Sequence, residues 1–181
     1  MLRVIAGEAR SVPLKTLDGL DTRPTTDRVK ETLFNLLQNY IYDSRFLDLF
    51  AGSGQIGIEA LSRGAREAVF IEKNKKAADI IEQNLAKTKL EENAEVLKRD
   101  VLSSLPFLGS EFDLIFMDPP YALEIEKEVL SSIKEHHVLA EDGQIIIEAD
   151  LKRDFSFAEE MGFEIVKEKV YKTNKHVFLR S

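Results

Sequence analysis

Residues 118–121 read Asp-Pro-Pro-Tyr and follow directly on an apolar run, Leu114 to Met117. Prolines fix φ near −65° and donate no backbone N–H, so the strand that this run predicts has to stop there. The four residue types together suit the handling of an amino group attached to an aromatic ring. Such a nitrogen is a poor nucleophile, because its lone pair is delocalised into the ring. A carboxylate accepting one N–H (Asp118) and a backbone carbonyl accepting the other (Pro119) favour a pyramidal, more reactive nitrogen. Pro120 stiffens that corner, and Tyr121 offers a face for stacking, typically worth ~1–3 kcal/mol. The structural alternative is a plain turn capped by Asp118.

A second run able to do chemistry is FLDLFAGSGQIGIEA, residues 46–60, which reads as a strand, a glycine loop and a helix start. Gly52, Gly54 and Gly57 fit G-x-G-x-x-G, where glycines let the backbone approach a ligand at a helix N-terminus. On that pattern alone a dinucleotide and a tight strand–helix turn both stay open. Asp48 stands near the end of the first strand, Glu72 closes the next, and Asp100, followed by Val101, is expected to end the third. Carboxylates at three strand ends suit a ligand with cationic groups and ribose hydroxyls better than one built on a pyrophosphate. With Asp48 and Phe50 the loop reads D-x-F-x-G-x-G, which resembles motif I of S-adenosylmethionine (SAM)-dependent methyltransferases.

These groups must be held by a frame, and the rest of the chain predicts one. From Ser44 onward, apolar strand-like runs (RFLDLF, EAVFIE, AEVLKRD, FDLIFMD, GQIIIEA) alternate with helical patterns. That alternation means βαβ units and a mainly parallel, doubly wound sheet covered on both faces. The tail, GFEIVKEKVYKTNKHVFLRS, predicts an antiparallel hairpin at one sheet edge. Before Ser44 a small hairpin is expected over LRVIAGEARSVPLKTL. An amphipathic helix follows, marked by Pro24, by Thr26 or Asp27 as its cap, and by Leu33, Phe34, Leu36 and Leu37 on its buried face. The economical division is a single domain, with an appendage over 1–43 and a Rossmann-like core over 44–181. In a 3-2-1-4-5 strand order the first and fourth strands are neighbours at the switch point, where ligands bind. The glycine loop and Asp118 would then share one crevice.

The run TRPTTDRVKETLFNLL, followed by LDLFAGSGQIGIEALSRGA, FIEKN and DPPY in this order and spacing, resembles ribosomal RNA methyltransferases of the RsmD type over essentially the whole chain. That resemblance implies a class I SAM methyltransferase fold with a seven-stranded sheet. It also implies methylation of the exocyclic N2 of a guanine in small-subunit (16S) ribosomal RNA. It makes Asp48, Phe50, Gly52 and Gly54, with Gly57, Glu72, Asp100 and Val101, the SAM contacts. Asp118, Pro119, Pro120 and Tyr121 become the catalytic corner. Arg10, Arg23, Thr25, Arg28 and Lys30 become candidate RNA contacts, with the run Arg23 to Asp27 closing over cofactor and target base. No metal is required, since a sulfonium is already an activated leaving group. One departure stands out: the family reads R-G-R after the first glycine, whereas Ser11 and Val12 follow Arg10 here.

Composition bounds the rest. The chain has 181 residues, 44% of them apolar and 31% charged, with no cysteine, which excludes disulfides and cysteine nucleophiles. No signal-like segment opens the chain and no apolar run reaches membrane length, so a cytoplasmic protein is expected. A net charge of −7 argues against a nucleic-acid partner, but its distribution does not. Basic and acidic residues number seven and six over 1–45, 13 and 25 over 46–164, and five and one over 165–181. The modest basic excess at the N-terminus points to ribosomal RNA carried within a subunit or assembly particle. His136, His137 and His176 are expected at helix ends or on the surface. Three alternatives follow from the same residues. One is an amino-methyltransferase acting on DNA adenine or cytosine or on protein glutamine. The others are a catalytically silent RNA-binding homologue and a nicotinamide oxidoreductase.

Overall fold

The computed structural model describes residues 1–18, 25–109 and 111–181. After an irregular segment, 1–18, the elements are helix α1 (Asp27–Ile41), strand β1 (Arg45–Leu49), α2 (Gln55–Ser62), β2 (Glu67–Ile71), α3 (Lys75–Thr88) and β3 (Ala94–Leu97). There follow α4 (Val101–Ser104), β4 (Phe112–Met117), α5 (Glu126–Glu135), β5 (Leu139–Asp150), α6 (Ser156–Glu160), β6 (Glu164–Val170) and β7 (Asn174–Arg180). The seven strands form one sheet in the order β3-β2-β1-β4-β5-β7-β6. The first five are parallel, and β7 lies antiparallel between β5 and β6. This is the class I SAM methyltransferase fold, with the expected switch point between β1 and β4.

Alternation along the strands sorts the core into two layers. Phe46, Phe70, Leu114, Phe116, Ile146 and Phe178 point to one face and pack with α1, α2 and α3. Leu47, Leu49, Ile115, Met117 and Ile147 point to the other, beneath α5 and α6. Both layers are largely apolar because β1 and β4 are central and covered on both faces. Strand β5 starts four residues earlier than the apolar run suggests. Leu139 pairs with Phe112, and the register then shifts so that Gln144 pairs with Leu114.

Segment 1–18 forms a strap whose buried Val4, Ala9 and Leu14 join the first layer. The expected hairpin is reduced to one bridge, Arg3 with Pro13, and a few backbone bonds such as Val4 N–H to the Val12 carbonyl (3.0 Å). Pro13 has no N–H to extend the ladder. Ser11 has φ +70°, a left-handed conformation in which glycine is unstrained, so the departure at this position keeps the turn at some strain.

The strap is fixed by side chains of α2 and α3. Glu59, wholly buried, accepts the N–H groups of Ile5 and Ala6, and Arg63 donates to it at 3.0 Å. Ser62 Oγ accepts from Ala9 N–H and donates to the Ala6 carbonyl. Asn84, also buried, exchanges two hydrogen bonds with the Lys15 backbone and donates to the Ser53 carbonyl in the glycine loop. Gly7 lies so close to α2 that a Cβ there would stand 1.9 Å from the Ser62 carbonyl oxygen.

In α1 the cap is Thr26, whose side chain accepts from Val29 N–H at 3.2 Å. Leu33, Phe34 and Leu37 are buried as expected, and Leu36 is half-buried. Pro24 lies outside the described residues.

Candidate active site

At the carboxyl ends of β1, β2 and β4 lies a cavity of about 390 Å³, within the range of small-molecule sites. Its floor is the β1–α2 loop. Phe50 and Gly52 both have positive φ, +59° and +58°, which turns the chain sharply out of the strand. Nothing lies within 4 Å of where a Gly52 Cβ would be, so it is the backbone turn, and the open approach to the cavity, that favours glycine here. The Gly52 N–H donates to Glu72 Oε2 at 2.8 Å, and Asn74 N–H donates to Oε1 at 2.9 Å. Each carboxylate oxygen of Glu72 therefore keeps a lone pair for a ligand hydroxyl.

The other two glycines have a different role. Gly54 and Gly57 stand beside the loop and are not part of the cavity lining. Gly57 packs on β2: a Cβ there would stand 2.3 Å from Phe70 Cε1. Its N–H donates to Asp48 Oδ2 at 3.0 Å. Gly54 is the residue before α2 and presses on Ile81. Both set how closely α2 sits on the sheet, and so where the loop lies.

Asp48, Phe50, Gly52, Glu72, Asp100 and Val101 all border the cavity. Asp48 is buried, and desolvation pushes its carboxyl up to about 8 against the opposing Gly57 hydrogen bond, with the Glu72 charge adding to the rise. Asp100 does not end a strand. β3 stops at Leu97, and Asp100 is the exposed cap of α4, accepting from Ser103 N–H at 3.2 Å. Ile56, Ile71, Ala77, Ile80 and Phe116 supply apolar wall. Acids over an apolar slot match a nucleoside carrying cationic groups, and they match a pyrophosphate poorly.

Asp118 and Pro120 border the same cavity from β4. Burial, then the charges of Glu148 and Asp48, hold the Asp118 carboxyl well above the usual range. Pro119 is buried behind the corner, and Tyr121, 44% exposed, stands at its outer side. Leu2, Thr16, Leu17 and Thr25 close the cavity from the strap side.

The proposed RNA contacts divide. Arg10 and Arg28 are exposed, and Arg23 lies outside the described residues. Lys30 requires correction: it is completely buried, and its Nζ donates to the Arg3 carbonyl at 2.6 Å. Burial lowers its pKa, and the Glu59 charge opposes that drop. It holds the strap and does not face an RNA.

His176 is also corrected. It is wholly buried in β7, where Nε2 donates to Glu148 Oε2 at 3.1 Å and Nδ1 pairs with the Tyr171 hydroxyl at 3.0 Å. Asn174 Nδ2 donates to Glu148 Oε1 at 2.8 Å. Sequence reasoning missed this cluster, since its members come together only through the pairing of Glu148 with His176 across β5 and β7. Among the described residues no group of three His, Cys, Asp or Glu side chains could hold a metal, and no helix is long and apolar enough to cross a membrane.

The family described as Conserved hypothetical protein 95 matches residues 2–180. The chain belongs to that family. It is 41% identical to the YlbH protein of Bacillus subtilis over 164 residues, 89% of this chain and 88% of the relative. It is likewise 41% identical to the ribosomal RNA small subunit methyltransferase D of Haemophilus influenzae over 155 residues, 82% and 79% of the two chains. The solved structure of the yhhF protein of Escherichia coli superposes with a TM-score of 0.87 at 35% identity, covering 98% of this chain and 96% of the other. Fold and family are those of SAM-dependent methyltransferases.

Proposed function

We propose that this chain methylates the exocyclic N2 of a guanine in small-subunit ribosomal RNA, with SAM as methyl donor. One observation carries the reading: the carboxylate of Asp118 opens into the same cavity as the glycine loop and Glu72, although Asp118 is distant from both in sequence. The relationship to ribosomal RNA small subunit methyltransferase D supports the choice of RNA over DNA or protein as the source of the amine.

When bound, SAM supplies a methyl group already activated on sulfur. The protein's own task is to hold and orient the acceptor, so positioning contributes much of the rate. Glu72 would accept ribose hydroxyls, the Asp100 side would hold the adenine, and the buried Asp48 would lie toward the cationic end. In the acceptor site Asp118 takes one N–H of the amine and the Pro119 carbonyl takes the other. Tyr121, exposed on one face, stacks on the base. Once methylated, the nitrogen would carry a positive charge, and the Asp118 carboxylate is placed to take the proton it releases. That carboxylate's raised proton affinity suits the role. A paired guanine has to leave its helix to enter such a corner.

The test is methyl transfer from labelled SAM to three acceptors in parallel: small ribosomal subunits lacking the modification, bare 16S RNA, and DNA. The labelled nucleoside is then identified. N2-methylguanosine from the ribosomal samples is expected, with more product on subunits than on bare RNA. Label on DNA adenine, or on none of the three while SAM binds, overturns the assignment.

A further inference from the structure

The cluster behind the Asp-Pro-Pro-Tyr corner has no part in the chemistry above, yet it is built for one conformation. Glu148 is buried and held at both oxygens, by Asn174 on one and His176 on the other. His176 is held in turn by the Tyr171 hydroxyl, and its ring lies edge-on to Phe116, with centroids 6.0 Å apart. The parallel register of β4 and β5 matches Phe116 with Ile146 and Met117 with Ile147. One rung further it sets Asp118 beside Glu148, on the face that carries Asp48. The Asn174 side chain is near enough to the Tyr121 hydroxyl to oppose the rise in its pKa that burial causes.

A carboxylate placed next to another carboxylate is costly unless hydrogen bonds or counter-charges offset the repulsion. Apolar residues in place of the whole cluster would leave Asp118 free of a like charge. Here, instead, a buried histidine, a tyrosine and an asparagine are arranged to keep Glu148 in place.

We propose that Glu148, clamped by Asn174 and His176, is a positioning residue of the methyl transfer. It keeps Asp118 basic enough to take the proton released from the methylated amine, and through Asn174 it fixes the Tyr121 ring on which the base stacks. This rests on Asp118 being the group that holds the acceptor amine. The groups facing Asp118 are Asp48 from β1, Glu148 from β5 and Tyr121 from its own turn. Those facing Glu148 are His176 and Asn174 from β7, with Tyr171 and Tyr121 at their outer ends.

Activity requires the ionised Asp118, so the rate rises with pH through the apparent pKa of that group. Removing the neighbouring charge in Glu148→Gln lowers that pKa, and the acid limb of log kcat against pH moves to lower pH. At the same time kcat on the plateau falls, because the proton acceptor is weaker, while the SAM dissociation constant measured by calorimetry stays within about twofold. A merely structural role for Glu148 would reduce activity without moving the limb, and an unmoved limb overturns the proposal. Asn174→Ala, at the more open end of the cluster, tests the second half. It should raise KM for the RNA several-fold with SAM affinity unchanged, and an unchanged KM removes Asn174 and the Tyr121 contact from the assignment. Both variants are compared with the wild type on whichever acceptor the wild type methylates. A wrong acceptor therefore shows as a different labelled product, and an unimportant Glu148 as an unmoved limb.

Discussion

Asp118 and Glu72 both bring a carboxylate to the cavity, yet their loss should read out differently. Asp118→Ala is expected to abolish turnover while SAM binding by calorimetry survives; a matching loss of SAM affinity would put Asp118 in the cofactor site instead. Glu72→Ala removes the acceptor for Gly52 and Asn74 N–H as well as for the ligand. The SAM dissociation constant should then rise roughly tenfold or more, and an unchanged constant would exclude Glu72 as a ligand contact. Asp48 makes a prediction of another kind. Between its ordinary value of 3.8 and about 8, the folded protein keeps a proton on Asp48 that the unfolded chain has lost. The folded state binds more protons across that window, so Asp48 makes stability fall as pH rises from about 4 to about 8. Urea midpoints across the window should slope less in Asp48→Asn than in the wild type, and equal slopes would count against it.

Helix α2 shows how an element of eight residues can position a site without touching a ligand along most of its length. Gly57→Ala drives a methyl group into Phe70, and overpacking of this kind costs about 1–3 kcal/mol. The variant should melt earlier and bind SAM less tightly, since the loop moves with the helix; an unaltered melting temperature would mean that β2 yields freely. The order of the elements, the switch point and the two local motifs were legible in the sequence, because each is written in contiguous residues. The strand–loop–helix pattern of 46–60 and the broken strand at Asp118 need no distant information. Lys30 was legible in principle: it falls in the same stripe as Leu33, Phe34, Leu37 and Ile41, the spacing of a buried face, although its charge argues for solvent. The partners that let a lysine be buried, Glu59 and the Arg3 carbonyl, come from two other segments. His176 was hidden for the same reason, since β7 becomes an interior strand only once β6 covers its far edge. The position of Asp100 was misjudged by three residues, because a cap and a strand end share the same polar signature.

At the scale of the whole molecule, the strap and the cavity share one support. Glu59 balances Lys30 and Arg63 while holding the Ile5 and Ala6 N–H groups, so Glu59→Gln leaves two cations short of a counter-charge. Removing one partner from a buried ionic cluster costs about 3–5 kcal/mol. Denaturant unfolding should show that loss, and limited proteolysis should cut the variant first within residues 1–18; wild-type stability would mean that the strap is held by its apolar contacts alone. The strap has a consequence for the order in which the protein assembles. Its anchors lie 53 to 69 residues further along the chain, on α2 and α3. Contacts across such a span close late, after the local β1–α2–β2 unit that offers them has formed. The strap is therefore among the last segments to dock, although it precedes its anchors in the chain. Until it does, the cavity has a floor and no roof, so the competence to enclose a ligand arrives as a final step of folding.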